Sequence, residues 1–81
     1  MILVGVKIMP RKEVLDSQGR ATMKTLGHHE IALNDCRVGK YVELKFDKET
    51  KEEALSKSKE IAELILFNPL VETFELEVKE L

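Results

Sequence analysis

The residues best able to do chemistry in this chain of 81 residues lie in its central third. Gly39-Lys40 is the dipeptide of a phosphate-binding loop, in which backbone N–H groups hold the phosphate and the lysine neutralises its charge. That motif needs a second glycine five residues earlier and a Ser or Thr after the lysine, whereas this chain has Asn34 and Tyr41. The pair is therefore more typical of a bent strand whose lysine is exposed.

Two other features could bind a metal or attack a substrate. His28-His29-Glu30 is a short run of possible ligands, but neighbouring side chains diverge in regular structure and no matching His or Cys cluster follows. Cys36 is the single thiol, and it falls on the apolar face of a predicted strand, where an unreactive core thiol is usual. The sequence predicts a solvated turn at the histidines and no catalytic or metal-binding residue.

Composition favours one folded domain over residues 1–81. Apolar residues make up 43% and charged residues 35%, with a net charge of −2, so no basic stripe is available for nucleic acid. No apolar run is long enough to cross a bilayer, and the start MILVGVKIMP reads as a first strand and not as a signal peptide. A single cysteine points to a reducing, cytoplasmic compartment.

The first two elements follow from spacing and capping. Ile2 to Met9 alternates as a strand that Pro10 ends, and its two-sided apolarity indicates either a central strand or contact with a second chain. Asp16 or Ser17 can cap a helix that runs to about Leu26. Gly27 suits the position just after that helix.

The stretch from Ile31 to Asp47 is predicted to be extended. A two-residue hairpin loop at Gly39-Lys40 would split its apolar residues between two faces. One continuous strand, bent or bulged at Gly39, keeps them together, and a three-residue loop would also preserve this parity. The residues of this apolar face are Cys36, Val38, Val42, Leu44 and Phe46.

The second helix and the last strand carry clear signals. Thr50 and Glu53 form an S/T-x-x-E capping box, and Pro69, preceded by Asn68, stops the helix. The predicted apolar stripe of this helix consists of Ala54, Ile61, Ala62, Ile65 and Leu66. Glu72 to Lys79 alternates cleanly as a strand.

These elements predict an α+β fold of the ferredoxin-like sandwich type. Two helices lie on one face of a mostly antiparallel sheet, in the order strand, helix, long strand bent at Gly39, helix, strand. The long strand can extend beyond so small a domain. Its unpaired backbone groups would then invite pairing with another chain.

Three blocks of the sequence resemble one family. VLDSQG (14–19), DCRVGKYVELKF (35–46) and LFNPLVETFELEV (66–78) occur in an order and at spacings similar to those of the PurS subunit of phosphoribosylformylglycinamidine synthase. The chain departs from the family pattern at Ser17, where proline is usual, and it matches poorly over 27–32.

The resemblance implies a role in de novo purine biosynthesis. The complex converts formylglycinamide ribonucleotide, ATP and glutamine to formylglycinamidine ribonucleotide, and this ligase uses a glutaminase subunit and a large synthetase subunit. The small subunit is implied to be a non-catalytic homodimer or tetramer that bridges the other two and supports ammonia transfer. ATP and magnesium belong to the synthetase subunit, and no cofactor is expected in this chain.

The resemblance also suggests which residues serve assembly or shape, and none of them is expected to be catalytic. They are Asp16, Gln18, Gly19, Asp35, Arg37, Gly39, Lys40, Asn68 and Pro69. Two other functions stay open at this point. One is a small-molecule-sensing ferredoxin-like module, which needs a pocket with converging polar groups, and the other is a small enzyme that uses Cys36.

Overall fold

The computed structural model describes all residues from 1 to 81 and contains one antiparallel sheet with two helices. The sheet has the strand order β2-β1-β3, so the first strand is central. The predicted α+β class is confirmed. The elements are β1 (Ile2–Pro10), α1 (Ser17–His28), β2 (Lys40–Phe46), α2 (Lys51–Ile61) with a π-helical continuation (Ala62–Leu66), and β3 (Glu72–Glu80).

The central strand holds the core. Val4, Val6 and Ile8 alternate along β1 and are completely buried, because both neighbouring strands and α2 cover them. Ile8 lies opposite Lys40 of β2 and Phe74 of β3 in the register. The sequence left two explanations for the two-sided apolarity of β1, a central strand or contact with a second chain. In the structure β1 is the central strand.

Helix α2 begins at the predicted capping box. The Thr50 hydroxyl accepts a hydrogen bond from the Glu53 N–H at 3.2 Å, and the Glu53 carboxylate accepts one from the Thr50 N–H at 3.0 Å. Ala54, Ser58 and Ala62, four residues apart, are fully buried against the sheet. Small side chains at this spacing let the helix backbone lie close to the strands.

The end of α2 departs from the prediction. Ile65, assigned to the apolar stripe, is 79% exposed. The cause is the π-helical turn. In it the Phe67 N–H donates to the Ala62 carbonyl, five residues earlier in the chain, whereas an α-helical bond reaches four residues back. The wider turn moves Ile65 off the buried face, and Phe67 packs edge-on against Phe74.

The end of α1 also differs from the prediction. Gly27 lies inside the helix, which continues to His28. The left-handed residue after the helix is Glu30, with φ 64°, whose N–H donates to the Gly27 carbonyl, while the Ile31 N–H donates to the Leu26 carbonyl. These two bonds form a Schellman motif, in which Glu30 takes the position after the helix that the sequence assigns to Gly27.

The predicted long strand is corrected. β2 starts at Lys40, residues 31–39 pair with no strand of this chain, and no turn forms at Gly39. Two N–H groups that a ladder would use are bound by carboxylates instead: Asp35 binds the Cys36 N–H and Asp16 binds the Val38 N–H. The hairpin, the three-residue loop and the bulge are all absent.

The molecule divides into two regions that are used below. The body is residues 2–10 and 40–80, which contain the sheet and α2. The arm is residues 11–39, which contain α1, and α1 makes few contacts with the strands. The chain measures 49 × 28 × 15 Å with a radius of gyration of 15.9 Å, whereas a compact chain of this length has about 12 Å. The protomer is therefore elongated.

Candidate assembly junction

Asp16 joins the two ends of the arm. One carboxylate oxygen, Oδ1, accepts from the Gly19 N–H at 2.9 Å and caps α1. The other, Oδ2, accepts from the Val38 N–H at 2.8 Å, across 22 positions of the sequence. A single short side chain thus holds the start of α1 against the segment that leads into β2.

The Asp16 carboxylate is held in its ionised form. The Gly19 N–H contributes most to lowering the pKa of Asp16, followed by the Val38 N–H, and the charge of Arg37 adds to the effect. Hydrogen bonds to the charged form stabilise it relative to the protonated form. The junction is therefore tightest when Asp16 is ionised.

Two glycines mark places where backbone meets backbone. A Cβ at Gly19 would overlap the Cys36 carbonyl oxygen, and one at Gly39 would overlap the Ile8 carbonyl oxygen. Neither glycine has a positive φ, so close approach and not backbone conformation explains both residues. Gly19 is buried, which makes it the only buried residue of the arm.

The other predicted residues of this region have different surroundings. The Asp35 carboxylate accepts from the Cys36 N–H at 2.9 Å, and Lys40 begins β2 with its side chain exposed. Arg37 is half-buried and lines two neighbouring cavities. Gln18 is exposed, and its carbonyl accepts from the Thr22 hydroxyl.

Asn68 and Pro69 form a second, separate turn. The Asn68 carbonyl accepts from the N–H groups of Val71 and Glu72, and its side-chain oxygen accepts from the Leu70 N–H. Arg11 ties this turn to the arm, because its Nε donates to the Pro69 carbonyl at 2.9 Å and its N–H donates to the Val71 carbonyl at 2.8 Å. No local sequence pattern indicates this role of Arg11, because both of its partners lie more than fifty positions away.

The residues that could do chemistry are dispersed. His28 and His29 are exposed at the end of α1, and no group of three or more His, Cys, Asp or Glu side chains could hold a metal ion. Cys36 is a half-buried free thiol outside the sheet, so its predicted place in the core is wrong. The reason is the same as for the strand: residues 31–39 do not join the sheet.

A cavity of about 730 Å³ lies where the arm meets the body. Its walls come from β1, the loop after it, the segment before β2, the start of β2, and β3, and they carry five cationic side chains and two carboxylates. Sequence reasoning missed this cluster because its members are spread over more than thirty positions. The cationic side chains are Lys7, Arg11, Lys12, Arg37 and Lys40.

Large apolar side chains are exposed in two places. Leu64, Ile65 and Leu70, at the π-helical turn and the loop after it, are 72%, 79% and 83% exposed. On the arm, Leu15, Ile31 and Leu33 are also exposed. Clusters of this kind are usual at surfaces that contact other proteins.

Comparison with known proteins identifies the family. The family model for PurS, described as phosphoribosylformylglycinamidine (FGAM) synthase, matches residues 3–80. The chain belongs to the PurS family. A Bacillus subtilis protein, phosphoribosylformylglycinamidine synthase subunit PurS, is 35% identical over 99% of this chain and 95% of its own length. The resemblance found in the sequence is confirmed.

Two solved PurS structures are similar over nearly the whole chain. The Thermus thermophilus PurS structure has a TM-score of 0.89 and 36% identity, covering 99% of this chain and 96% of that one. A chain in the structure of PurLQS from Thermotoga maritima has a TM-score of 0.87 and 26% identity, covering 96% of both chains. No helix of this PurS chain combines the length and apolar character that a membrane crossing requires.

Proposed function

We propose that this chain is the small, non-catalytic subunit of a phosphoribosylformylglycinamidine synthase, a glutamine-dependent ligase of purine biosynthesis. The observation that carries the proposal is the match to the PurS family over residues 3–80, together with the likeness to a chain of PurLQS. The residues matched to the family hold backbone segments together or shape loops, as Asp16, Gly19 and Gly39 do. This arrangement suits an assembly subunit.

In this function the chain bridges a glutaminase subunit and a synthetase subunit, and the synthetase uses ATP and magnesium. Ammonia released at one active site is lost by diffusion and protonation unless the second site is near. Fixing both sites in one assembly raises its effective concentration. The exposed side chains of Leu64, Ile65 and Leu70 offer this chain an apolar surface for one of these partners.

The chain also associates with itself in this proposal, as a dimer or a tetramer. The arm has only one buried residue, and its apolar side chains at Leu15, Ile31 and Leu33 are exposed. A second copy can cover them and stabilise the arm by the apolar area removed from water. The unpaired Cys36 fits a cytoplasmic location.

Reconstitution tests the proposed function. The two larger subunits, mixed with this chain, should recover a glutamine-dependent rate that the two subunits alone lack, while ammonia supplied directly should support synthesis without this chain. Equal glutamine-dependent rates with and without this chain would overturn the proposal.

A surface variant makes the test specific. Ile65→Asp places a charge on an exposed apolar position without touching the core, so circular dichroism of the free chain should not change. Recovery of the ternary assembly should fall at least about tenfold, which corresponds to about 1.4 kcal/mol. Glu63→Gln, on the same turn, is the matched control and should assemble normally.

A further inference from the structure

The cavity between arm and body carries an excess of positive charge in a chain whose net charge is −2. Five cationic side chains face two carboxylates, Glu13 and Glu75. Positive groups gathered in one concave site create a positive local potential that attracts anions. The cavity volume of about 730 Å³ falls in the range of small-molecule sites.

The cationic side chains of this cavity differ in whether they already form hydrogen bonds or salt bridges within the chain. Lys7 forms an ion pair with Glu77, and Arg11 uses its Nε on the Pro69 carbonyl. The side chains of Lys12, Arg37 and Lys40 form no hydrogen bond or salt bridge with the rest of the chain. Three cationic groups are thus free to bind a ligand.

The backbone that carries two of these cations is held by hydrogen bonds. Lys40 is the first residue of β2, and its backbone position is fixed opposite Ile8. Arg37 lies between the Cys36 and Val38 N–H groups, which Asp35 and Asp16 hold. A site whose groups are placed by the backbone loses less entropy when a ligand binds.

We infer that this cavity binds a small phosphorylated ligand, with the phosphoryl group held by Arg37 and Lys40. Phosphate oxygens match the planar fork of a guanidinium, and an ammonium group adds a compact charge. Several unpaired cations in one site favour a multiply charged phosphate over a single carboxylate. This site goes beyond the proposed assembly function and does not depend on it.

A titration of the free chain with inorganic pyrophosphate, followed by NMR at constant ionic strength, tests the inference. Saturable shifts should centre on the amides of Gly39, Lys40 and Tyr41. AMP, used as a second probe, tells an esterified phosphate from a free one, and saturable binding of either probe here supports the site. Citrate, which carries comparable charge on carboxylates, should bind at least about tenfold more weakly.

Substitutions distinguish binding at a specific phosphate site from nonspecific electrostatic attraction. Arg37→Gln with Lys40→Gln should weaken binding at least about tenfold, or about 1.4 kcal/mol. Lys45→Gln is the matched control on the same strand, outside the cavity, and should change it less than about twofold. Any of three results would overturn the inference: no saturation by either probe at millimolar concentration, equal loss in the control, or equal affinity for citrate. If the cavity variants instead impair only subunit assembly, the cations serve a protein partner and the ligand site is also refuted.

Discussion

The body and the arm of this protein are held by different forces. In the body, Val4, Val6 and Ile8 are completely buried, and α2 covers them with small residues. In the arm, Gly19 alone is buried, and large apolar side chains are exposed. Packing fixes the body, whereas the arm is fixed by a few hydrogen bonds and close backbone contacts.

This difference indicates where assembly acts. The free energy of unfolding of a small domain comes mainly from buried apolar area, and the arm buries little of it in the protomer. The hydrogen bonds at Asp16 hold the start of α1 to the segment before β2, and in the proposed assembly a partner covers the exposed apolar side chains of the arm. We therefore expect the body to be the more stable region of the free chain and the arm to gain stability on assembly.

The largest effect is expected from Gly39→Val, at the point where arm and body meet. A Cβ there would overlap the Ile8 carbonyl oxygen and the Met9 sulfur, and the paired backbone of β1 cannot move away. We expect a loss of about 3 kcal/mol in the free energy of unfolding. Self-association, measured by light scattering, should weaken more than helix content, measured by circular dichroism. Equal loss of both would contradict the separation of arm and body.

Two glycines of α1 offer a matched pair. Gly19→Ala should cost about 2 kcal/mol, because the new methyl group meets the Cys36 carbonyl oxygen and the Asp16 carboxylate. Gly27→Ala meets nothing within 4 Å and should gain up to about 1 kcal/mol from helix propensity. Urea unfolding measures both. Two changes of the same sign would show that helix propensity, and not the junction, decides the stability of the arm.

A smaller effect is expected inside the body. The Ser58 hydroxyl is fully buried and has no hydrogen-bond partner. Ser58→Ala removes an unsatisfied polar group from the core and should stabilise the chain by about 1 kcal/mol. Ser56→Ala, exposed on the same helix, should change stability by less than about 0.5 kcal/mol. Thermal unfolding compares them, and a destabilised Ser58→Ala would mean that the hydroxyl has a partner after all.

The smallest effect is expected from lowering the pH, which should weaken the hydrogen bonds of Asp16. The pKa of Asp16 is lowered in the folded state, so its contribution is complete above the ordinary pKa of an aspartate and is lost as pH falls through the lowered value. The arm should therefore open progressively as the pH falls below about 4. Amide exchange at Gly19 and Val38 measures this opening.

The body has acid-sensitive groups of its own, since the pKa of Glu77 is lowered by Lys7, that of Glu49 by Lys57 and that of Glu53 by the Thr50 N–H. Asp16→Asn controls for these, because it should remove the pH dependence of the protection factors in the arm, which are corrected for intrinsic exchange, and leave that of the body. An unchanged pH dependence in the arm of Asp16→Asn would exclude Asp16 as its cause.

The sequence predicted the body better than the arm, for a physical reason. Alternation in β1 and β3 and the capping box at Thr50 and Glu53 are local signals, and the structure confirms each. The start of β2 depends instead on a hydrogen bond between residues 22 positions apart, in which the Asp16 carboxylate accepts from the Val38 N–H. Apolar alternation continues through Cys36 and Val38, so periodicity alone could not show where the ladder ends.

The same reasoning applies to the candidate site. The sequence singles out Asp16, Gly19 and Gly39 for assembly or shape, but the backbone atoms that they approach are visible only in the fold. Ile65 was misplaced because one residue of π-helix shifts the face of α2, and no local pattern predicts that shift. The cations of the cavity could not be grouped without the fold, because they lie on four separate segments.

Hydrogen exchange by mass spectrometry, on the dilute chain and on the chain assembled with the two larger subunits, tests the central claim most directly. In the dilute chain we expect peptides from residues 11–39 to exchange much faster than those of β1 and α2. On assembly the arm should gain protection while the body changes little. Protection of the arm equal to that of the body in the dilute, monomeric chain would contradict the account, as would an arm that gains no protection in the complex.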